Sequence, residues 1–287
     1  MKYFNELRDD SNNYTYSVDG CRINFSVSER FVSDISSLIM SLRSDITVYP
    51  TSTKSFNFRN LIKFDYDTES SMTMGYGFNG TNAREDMRKG YLDFNPNKVG
   101  SFSQFWADYR EIKSLCEDFV IDRIDIALDI PVKREYLILE KDNRKYELNM
   151  RSISNRTEYL GQRSHVGFVK LYNKTLESSL DYDLTRLEIT CEPNLISFIS
   201  HFPKVYDISL NNQLSIDFES LNDTDKYILG AEWELLNANL DPGLTRFNSL
   251  SYYQKKKLKP FLMPESSLVL FSRDSLTELF RDFMGIF

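Results

Sequence analysis

The pattern of hydrophobic and polar positions predicts mainly β-strands over the first two thirds of the chain. Short runs in which apolar and polar residues alternate are typical of strands with one buried face. Strand-like runs cover residues 14–18, 21–27, 55–67, 71–78, 89–94, 119–130, 147–153, 157–161, 166–172 and 184–190. The dipeptide Asp19-Gly20 separates the first two runs and predicts a hairpin turn between them.

Apolar residues at helical spacing predict two helices among these strands. The first covers residues 28–42, with Ser28 as its N-cap. The second covers residues 103–115 and turns a set of apolar side chains towards the core, namely Phe105, Trp106, Tyr109, Ile112 and Leu115. Strands with a few helices between them are typical of a sheet that is covered on one face.

From about Pro193 onward the pattern becomes helical and remains so to the C-terminus. We therefore expect an α+β fold with a central antiparallel sheet and flanking helices over residues 1–200, followed by a helical C-terminal part over residues 201–287. The chain has 287 residues, of which 41% are hydrophobic, and this is enough for a sizeable core.

Several classes of protein are disfavoured by what the sequence lacks. It has no apolar run long enough for a transmembrane helix, and its N-terminus has no apolar segment of the secretory type. The cysteines Cys21, Cys116 and Cys191 are widely spaced, which predicts neither a disulfide framework nor a zinc site. We expect a cytoplasmic protein without a membrane partner.

Common catalytic motifs are also missing. Neither the GxSxG elbow of serine hydrolases nor the phosphate-binding loops Walker A and GxGxxG occur in the sequence. His165 and His201 are the only histidines and are far apart, so a histidine-based triad or metal site is disfavoured. These observations argue against the common hydrolases and nucleotide-cofactor enzymes.

Four of the predicted strands carry acidic or phenolic side chains on their polar faces. Alternation puts Asp125 and Asp129 on one face of 119–130, about 13 Å apart at the usual rise per residue. Asp93, Tyr172 and Glu188 lie on the polar faces of the other three. The simplest interpretation of these polar residues is that they form the solvent-exposed face of an antiparallel sheet. If the strands share a sheet, the side chains converge, and a divalent cation would relieve their repulsion and polarise a phosphodiester beside a tyrosine.

Four blocks of the sequence occur in an order that is familiar from one group of proteins. They are YLDFNPNKVG (91–100), DRIDIALDI (122–130), TEYLGQRSHVGFVKLYNKTLE (157–177) and TRLEI (185–189). The chain resembles the Rep_trans replication initiation proteins, typified by rolling-circle initiators of small staphylococcal plasmids. The resemblance is good from about Gly90 to Glu192 and continues more loosely through 226–236 and 251–262.

The resemblance implies a DNA nicking and strand-transfer enzyme that acts at a plasmid's double-strand origin. The nucleophile of such initiators corresponds to Tyr172, which would join the 5′ phosphate and leave a 3′ hydroxyl. Their acidic residues, which bind Mg²⁺ or Mn²⁺, correspond to Asp93, Asp125, Glu188 and Asp129. Relatives carry Glu where this chain has Asp93, whose reach is one methylene shorter.

The resemblance also suggests roles for residues near Tyr172. Lys170 and Lys174 are expected to stabilise phosphate charge or hold the phenolate, or else to form a solvated strand end. Arg163 contacts backbone phosphate or caps its loop. Tyr159 lies in the same block and is the alternative nucleophile, although a packing role suits it better.

A basic cluster near the C-terminus is the best candidate for duplex binding, because the C-terminal part of the resembled family recognises the origin. Its members are Arg246, Lys255, Lys256, Lys257 and Lys259. Such charge runs are as often a solvated face, and the net charge of −7 gives no support to DNA binding by itself.

The resemblance further implies a homodimer and a host replicative helicase as partners, beside double-stranded origin DNA and the nicked single strand. Two alternatives stay open at this stage. One is a relaxase of a mobile element that nicks a transfer origin, and the other is an origin-binding protein without catalysis.

Overall fold

The computed structural model describes most of the first two thirds of the chain and scattered positions after it. The described residues are 7–9, 14–27, 46–50, 58–78, 89–152, 154–163, 165–192, 202–207, 222–224, 227, 251–253, 256, 268–269, 278–279, 281 and 283. The helix expected over 28–42 lies outside these ranges, as does most of 201–287.

Fourteen strands and three α-helices have their full bounds within these ranges. The strands are β1 Leu7–Asp9, β2 Tyr14–Val27, β3 Ile46–Pro50, β4 Phe58–Asp65, β5 Ser71–Phe78, β6 Lys89–Phe94, β7 Cys116–Ile130, β8 Leu137–Leu139, β9 Tyr146–Met150, β10 Arg156–Leu160, β11 Val169–Asn173, β12 Thr185–Cys191, β13 Val205–Asp207 and β14 Leu268–Val269. The helices are α1 Pro96–Val99, α2 Ser103–Leu115 and α3 Lys174–Ser178, and a 3₁₀ turn covers Arg134–Tyr136.

Eleven of the described strands form one antiparallel sheet. Its order is β3-β4-β5-β6-β2-β7-β12-β11-β10-β9, and β1 pairs with the start of β2. The long strands β2 and β7 lie at its centre. The expected α+β class with a central antiparallel sheet is confirmed, and most strands lie close to their predicted positions.

The hairpin predicted at Asp19-Gly20 is wrong. Residues 14–27 form a single strand, and both of its halves pair with β7. The register shifts between Val18 and Gly20, which pair with Ile126 and Asp125, so Asp19 is an extra residue in the strand. Asp-Gly sequences suit bulges as well as tight turns, and here the long partner strand keeps the chain extended.

The core lies on the face of the sheet that carries the aliphatic residues of β7, where Ile124, Ile126, Leu128 and Ile130 are buried. Helix α2 begins and ends where the sequence predicts and packs on the core with Phe105, Tyr109 and Ile112 buried. The Phe105 ring lies 5.1 Å from that of Phe94 on β6. Because side chains alternate along a strand, the polar residues of the same strands lie on the opposite face.

A second sheet joins the C-terminal part of the chain to the middle. Its order is β14-β13-β8, all antiparallel. Leu279 and Phe283 are buried in the same hydrophobic cluster as the main sheet. The described positions after residue 201 are helical at 223–224, 227, 252–253, 256, 278–279, 281 and 283. The expected helical part therefore also contains strands, and the domain boundary at residue 200 stays a prediction.

Among the helices that the structure describes, none is both long and apolar enough to cross a membrane.

Candidate active site

The strands with the predicted polar side chains lie next to one another in the main sheet, separated only by β2 between β6 and β7. Asp93, Asp125, Tyr172 and Glu188 consequently occupy one face, opposite the core. We call this surface the polar face, and its members are Asp19, Arg22, Asp93, Arg123, Asp125, Asp129, Lys170, Tyr172, Arg186, Glu188 and Thr190. Their order follows from the strand register, in which Lys170 is opposite Glu188 and Thr190 is opposite Asp125.

Tyr172 lies beside a carboxylate and two ammonium groups. Its hydroxyl donates a hydrogen bond of 2.6 Å to Oε1 of Glu188 on the neighbouring strand. Lys170 Nζ lies 3.5 Å from Oε2 of the same carboxylate and 3.6 Å from the centroid of the phenol ring. Lys174 Nζ is 5.9 Å from that centroid and forms an ion pair with Glu177. The phenol is thus held between a proton acceptor and cations.

Burial changes the acidity of both members of this pair. Tyr172 is only 5% exposed, and burial, followed by the charge of Glu188, raises the pKa of its phenol above the ordinary value of 10.0. Burial also raises the pKa of Glu188 above 4.5, against the opposing charge of Lys170. The hydroxyl proton therefore stays on the phenol in the resting site, with Glu188 as its acceptor.

Asp129 is engaged by an arginine on the adjacent strand. Arg186 donates from Nε to Oδ1 of Asp129 at 2.6 Å and from Nη2 to Oδ2 at 2.7 Å. Its Nη1 donates to Asp19 at 3.3 Å. Arg186 is the cross-strand neighbour of Tyr172. The two oxygens of Asp129 are therefore both bonded to one guanidinium, which is typical of a strong bidentate pair.

Asp125 lies at the centre of the polar face. Thr190 donates to its Oδ1 at 2.7 Å, and Arg123 Nη2 lies 3.3 Å from its Oδ2. The carboxyl lies against Gly20, where an added Cβ would be 2.5 Å from Oδ2. Burial raises the pKa of Asp125, while the charge of Arg123 lowers it. The bulge at Asp19 thus makes room for a half-buried carboxylate.

Asp93 is bound by two arginines. Arg22, its cross-strand neighbour, donates from Nε at 2.9 Å and from Nη2 to Oδ2 of Asp93. Arg123 Nη2 lies 3.6 Å from the same oxygen. Arg123 therefore bridges Asp93 and Asp125, so the carboxylates do not face each other without an intervening cation.

The four residues predicted to bind Mg²⁺ or Mn²⁺ all carry carboxylates. Their oxygen atoms are the donors that these ions prefer. Within the described ranges, however, no three His, Cys, Asp or Glu side chains are close enough together to hold a metal ion. The four predicted ligands bond instead to neighbouring side chains: Asp93 to Arg22, Asp125 to Thr190 and Arg123, Asp129 to Arg186, and Glu188 to Tyr172 and Lys170. The residues as arranged do not fit a metal ion, and the metal requirement stays a prediction.

Tyr159, the alternative nucleophile, lies on β10 opposite Lys170. Its ring stacks on Phe168, with centroids 5.9 Å apart and planes inclined by 18°. The guanidinium of Arg163 is 5.2 Å from the centroid of the Tyr159 ring. Tyr159 and Phe168 therefore form an aromatic pair beside the polar face, with the Arg163 guanidinium over the Tyr159 ring. Tyr159 lies on the strand next to that of Tyr172.

A cavity of about 480 Å³ lies between this aromatic pair and the centre of the polar face. We call it the Tyr159 cavity, and it is lined by Asp19, Arg123, Asp125, Tyr159, Arg163, Phe168, Lys170, Glu188 and Thr190. A second cavity of about 450 Å³ lies on the other side of Asp19 and Asp125, towards Asp93. Both are open to solvent, and most of the residues that line them have polar side chains.

Only part of the predicted basic cluster can be located. Lys256 is exposed at a helical position, and Tyr252 and Tyr253 before it are also exposed. The remaining members, Arg246, Lys255, Lys257 and Lys259, lie outside the described residues.

Sequence reasoning missed several members of the polar face. Asp19 was assigned to a turn, and the roles of Arg22, Arg123, Arg186 and Thr190 depend on their cross-strand partners. Alternation within a strand shows which side each residue faces, but not which residue it meets on the next strand. The sequence did offer one signal, since alternation places Arg123 and Arg186 on the same strand faces as the carboxylates.

Comparisons with known proteins give partial matches. The chain is 28% identical over 122 residues to a replication initiation protein from Staphylococcus aureus, covering 39% of this chain and 38% of that protein. A second replication initiation protein from the same organism is 27% identical over 122 residues, with the same coverage. The match therefore spans well under half the length of these curated relatives. No family model matches the chain.

Among solved structures, the chain is similar to one titled as a rolling circle replication initiator protein from Geobacillus stearothermophilus. That similarity has a TM-score of 0.40 and 14% identity, and it covers 65% of this chain and 77% of the other. The resemblance that the four sequence blocks predicted is confirmed by the curated relatives: over 122 residues the chain is similar to replication initiation proteins from Staphylococcus aureus.

Proposed function

We propose that this protein is a plasmid rolling-circle replication initiator, which binds origin DNA and nicks one strand with Tyr172 as the nucleophile. The partial similarity to replication initiation proteins supports the class of function. The observation that carries the chemistry is the 2.6 Å hydrogen bond from the Tyr172 hydroxyl to the Glu188 carboxylate. A nucleophilic hydroxyl bonded to a general base is the usual arrangement for covalent catalysis.

The proposed reaction is a transesterification at a phosphodiester. The Tyr172 oxygen forms a bond to phosphorus while its proton passes to Oε1 of Glu188, and the bond from phosphorus to the 3′ oxygen breaks. The 3′ oxygen takes a proton from water, and the 5′ phosphate remains on Tyr172. Rejoining is the same step in reverse. Glu188, expected from the resemblance to be a metal ligand, acts as the base in this scheme.

Negative charge that develops on the phosphate needs cations that are already in position. Lys170, 3.5 Å from Glu188 and 3.6 Å from the phenol ring, is the nearest described ammonium group to both reacting side chains. Lys174 Nζ is farther from the phenol ring, at 5.9 Å, and Arg123 lines the same cavity as Lys170. We assign phosphate binding first to Lys170, because its ammonium is next to both the nucleophile and the base.

The test is nicking of a supercoiled plasmid that carries the protein's own origin. Wild type is expected to relax the plasmid and to form a covalent adduct that peptide mapping assigns to Tyr172. Tyr172→Phe is expected to do neither, whereas Tyr159→Phe, the matched control, nicks normally. Nicking by Tyr172→Phe at the wild-type rate would overturn the assignment. Origin binding without nicking by any variant would instead indicate a non-catalytic DNA-binding protein.

The requirement for Mg²⁺ or Mn²⁺ is tested in the same assay. Nicking is measured with each ion and after treatment with EDTA. Activity that survives EDTA would contradict the metal prediction and leave the tyrosine assignment in place.

We also propose that the basic cluster binds duplex origin DNA, and Lys256, the one member among the described residues, is exposed. Homodimers and a host helicase as partner remain proposals from the resemblance. Replacing Lys255, Lys256, Lys257 and Lys259 together by Ala is expected to weaken duplex binding in a gel-shift assay. Unchanged binding would assign duplex recognition to another surface.

A further inference from the structure

We infer that the Tyr159 cavity is a binding site for a base of the single strand that is nicked. This inference rests on the proposed function, because it names the part of the DNA that lies beside Tyr172 and Glu188. The cavity has a volume of about 480 Å³ and opens on the polar face of the sheet. Its walls combine an aromatic pair with charged and hydroxyl groups, which is the composition expected of a nucleotide site.

The cavity is next to the reacting groups. Tyr159 is paired with Lys170, and Lys170 is paired with Glu188, on consecutive strands. At the usual spacing between strands, the Tyr159 backbone is about 10 Å from that of Glu188. Lys170 also lines the cavity, so a nucleotide whose phosphate lies at Tyr172 and Lys170 is within reach of it.

The aromatic wall is suited to a flat, π-bonded ligand. Tyr159 and Phe168 are nearly parallel, with an interplanar angle of 18°, and both are half-buried. Arg163 adds a guanidinium 5.2 Å from the Tyr159 ring centroid. Bases stack on such aromatic side chains whatever their sequence, and arginine contributes a cation–π contact.

The opposite wall favours a base over a phosphate. Asp125 and Glu188 line it, and their carboxylates would repel a phosphate but accept hydrogen bonds from base N–H groups. The cations Lys170 and Arg123 stand at the same wall and balance this charge. A phosphate is accordingly expected at Lys170, with the base directed towards Tyr159.

The test uses the full chain with Tyr172→Phe, so that no DNA is cleaved. Binding of a short fluorescein-labelled oligothymidylate is measured by fluorescence anisotropy and compared with the same sugar-phosphate backbone without bases. Adding Tyr159→Ala or Phe168→Ala is expected to weaken binding of the base-containing strand about tenfold and to leave the abasic strand unaffected. Tyr159→Phe is expected to keep the wild-type affinity, because it keeps the ring.

Tyr182→Ala is the matched control, since Tyr182 is exposed and lies outside the cavity. If Tyr159→Ala lowers the melting temperature, Tyr159→Leu replaces it, because leucine keeps an apolar side chain on the strand but has no ring. An equal loss of affinity for both strands, or no loss for either, would overturn the base site. Nicking by Tyr172→Phe would instead refute the proposed function and leave a base-dependent affinity standing.

Discussion

The hydrogen bond between Tyr172 and Glu188 determines where the phenolic proton lies before any reaction. Burial raises the pKa of the Tyr172 phenol, so the phenol keeps its proton and donates a hydrogen bond to Glu188. The phenolate is costly to form unless the proton has an acceptor in contact. Glu188 is that acceptor, and Lys170 beside it limits the accumulation of negative charge.

Replacing Glu188 by Gln removes the carboxylate that can take up the proton, but it keeps the size of the side chain and an oxygen that can accept the hydrogen bond. We expect nicking by Glu188→Gln to fall about a hundredfold or more, the usual contribution of a general base. The rate is measured in single-turnover nicking of a supercoiled origin plasmid. Lys63→Gln, at a partly exposed lysine on β4, is the control and is expected to nick like wild type. A rate near wild type for Glu188→Gln would show that another group takes the proton.

The same substitution has an expected effect on stability that depends on pH. The pKa of folded Glu188 is raised above 4.5, so its carboxyl favours the folded state when protonated, and that contribution is lost as the pH rises through the raised pKa. Glu188→Gln does not titrate. Its melting temperature relative to wild type should therefore be higher at pH 7 than at pH 4, as measured by differential scanning fluorimetry. An opposite trend would mean that Lys170 outweighs burial.

Individual residues of the site were predictable to different degrees. Asp93, Asp125, Asp129, Tyr172 and Glu188 were located on polar strand faces by alternation alone. Selecting Tyr172 needed the resemblance, because the chain has 17 tyrosines and alternation treats them alike. The partners of the carboxylates depend on the register between strands that are distant in sequence, as for Arg22 and Asp93, which are 71 residues apart. The sequence alone does not specify that register.

At the scale of elements, the bulge at Asp19, one of three register shifts between β2 and β7, shapes the site. The extra residue Asp19 lets the strand pair with β7 on both sides of the bulge, and Gly20 lies directly against the Asp125 carboxyl. The dipeptide Asp-Gly predicts a hairpin, but it suits β-bulges as well as tight turns. The two strand runs beside it were predicted correctly, because alternation shows which side chains are buried whether or not a turn separates the runs.

A side chain at position 20 is expected to disturb the site. The Cβ of Gly20→Ala would lie 2.5 Å from Asp125 Oδ2, and Thr190 and Arg123 hold that carboxyl in place. We expect a loss of stability of about 1–3 kcal/mol from overpacking and a reduced nicking rate for the folded protein. Urea unfolding gives the first quantity and single-turnover nicking gives the second.

Gly90→Ala is the control for this prediction. Its Cβ would meet the ring of Phe25, a buried core residue, rather than a group of the polar face. We expect Gly90→Ala to lower the free energy of unfolding by a similar amount, whereas the folded protein nicks at the wild-type rate. If both variants reduce nicking equally, the bulge has no specific effect on the site.

At the scale of the whole molecule, the acidic net charge is compatible with a DNA-binding face. The chain carries a charge of −7, yet arginines and lysines stand among the carboxylates of the polar face. Composition alone did not indicate this arrangement, because it averages over surfaces of opposite character. Local charge at the site therefore bears on DNA binding more directly than the total.

Buried side chains near the C-terminus belong to the same hydrophobic cluster as the sheet. The sequence predicted a separate helical region from residue 201. Leu279 and Phe283 are buried in the same cluster as the sheet residues, and β13 pairs with β8 from the middle of the chain. These contacts argue that both parts unfold together, since each would leave apolar surface exposed without the other.

Phe283→Ala tests this cooperative unfolding. Removing a buried phenylalanine typically costs about 3–5 kcal/mol, and a cooperative fold would lose that stability in one transition. Unfolding in urea is followed by fluorescence in a Trp233→Phe background, so that Trp106 on α2 reports on the sheet domain. We expect the Trp106 transition to move to lower urea, whereas Arg281→Ala, at an exposed position nearby, leaves it unchanged. If the Trp106 transition does not move in Phe283→Ala, residues 201–287 unfold independently and the boundary at residue 200 is a true domain boundary.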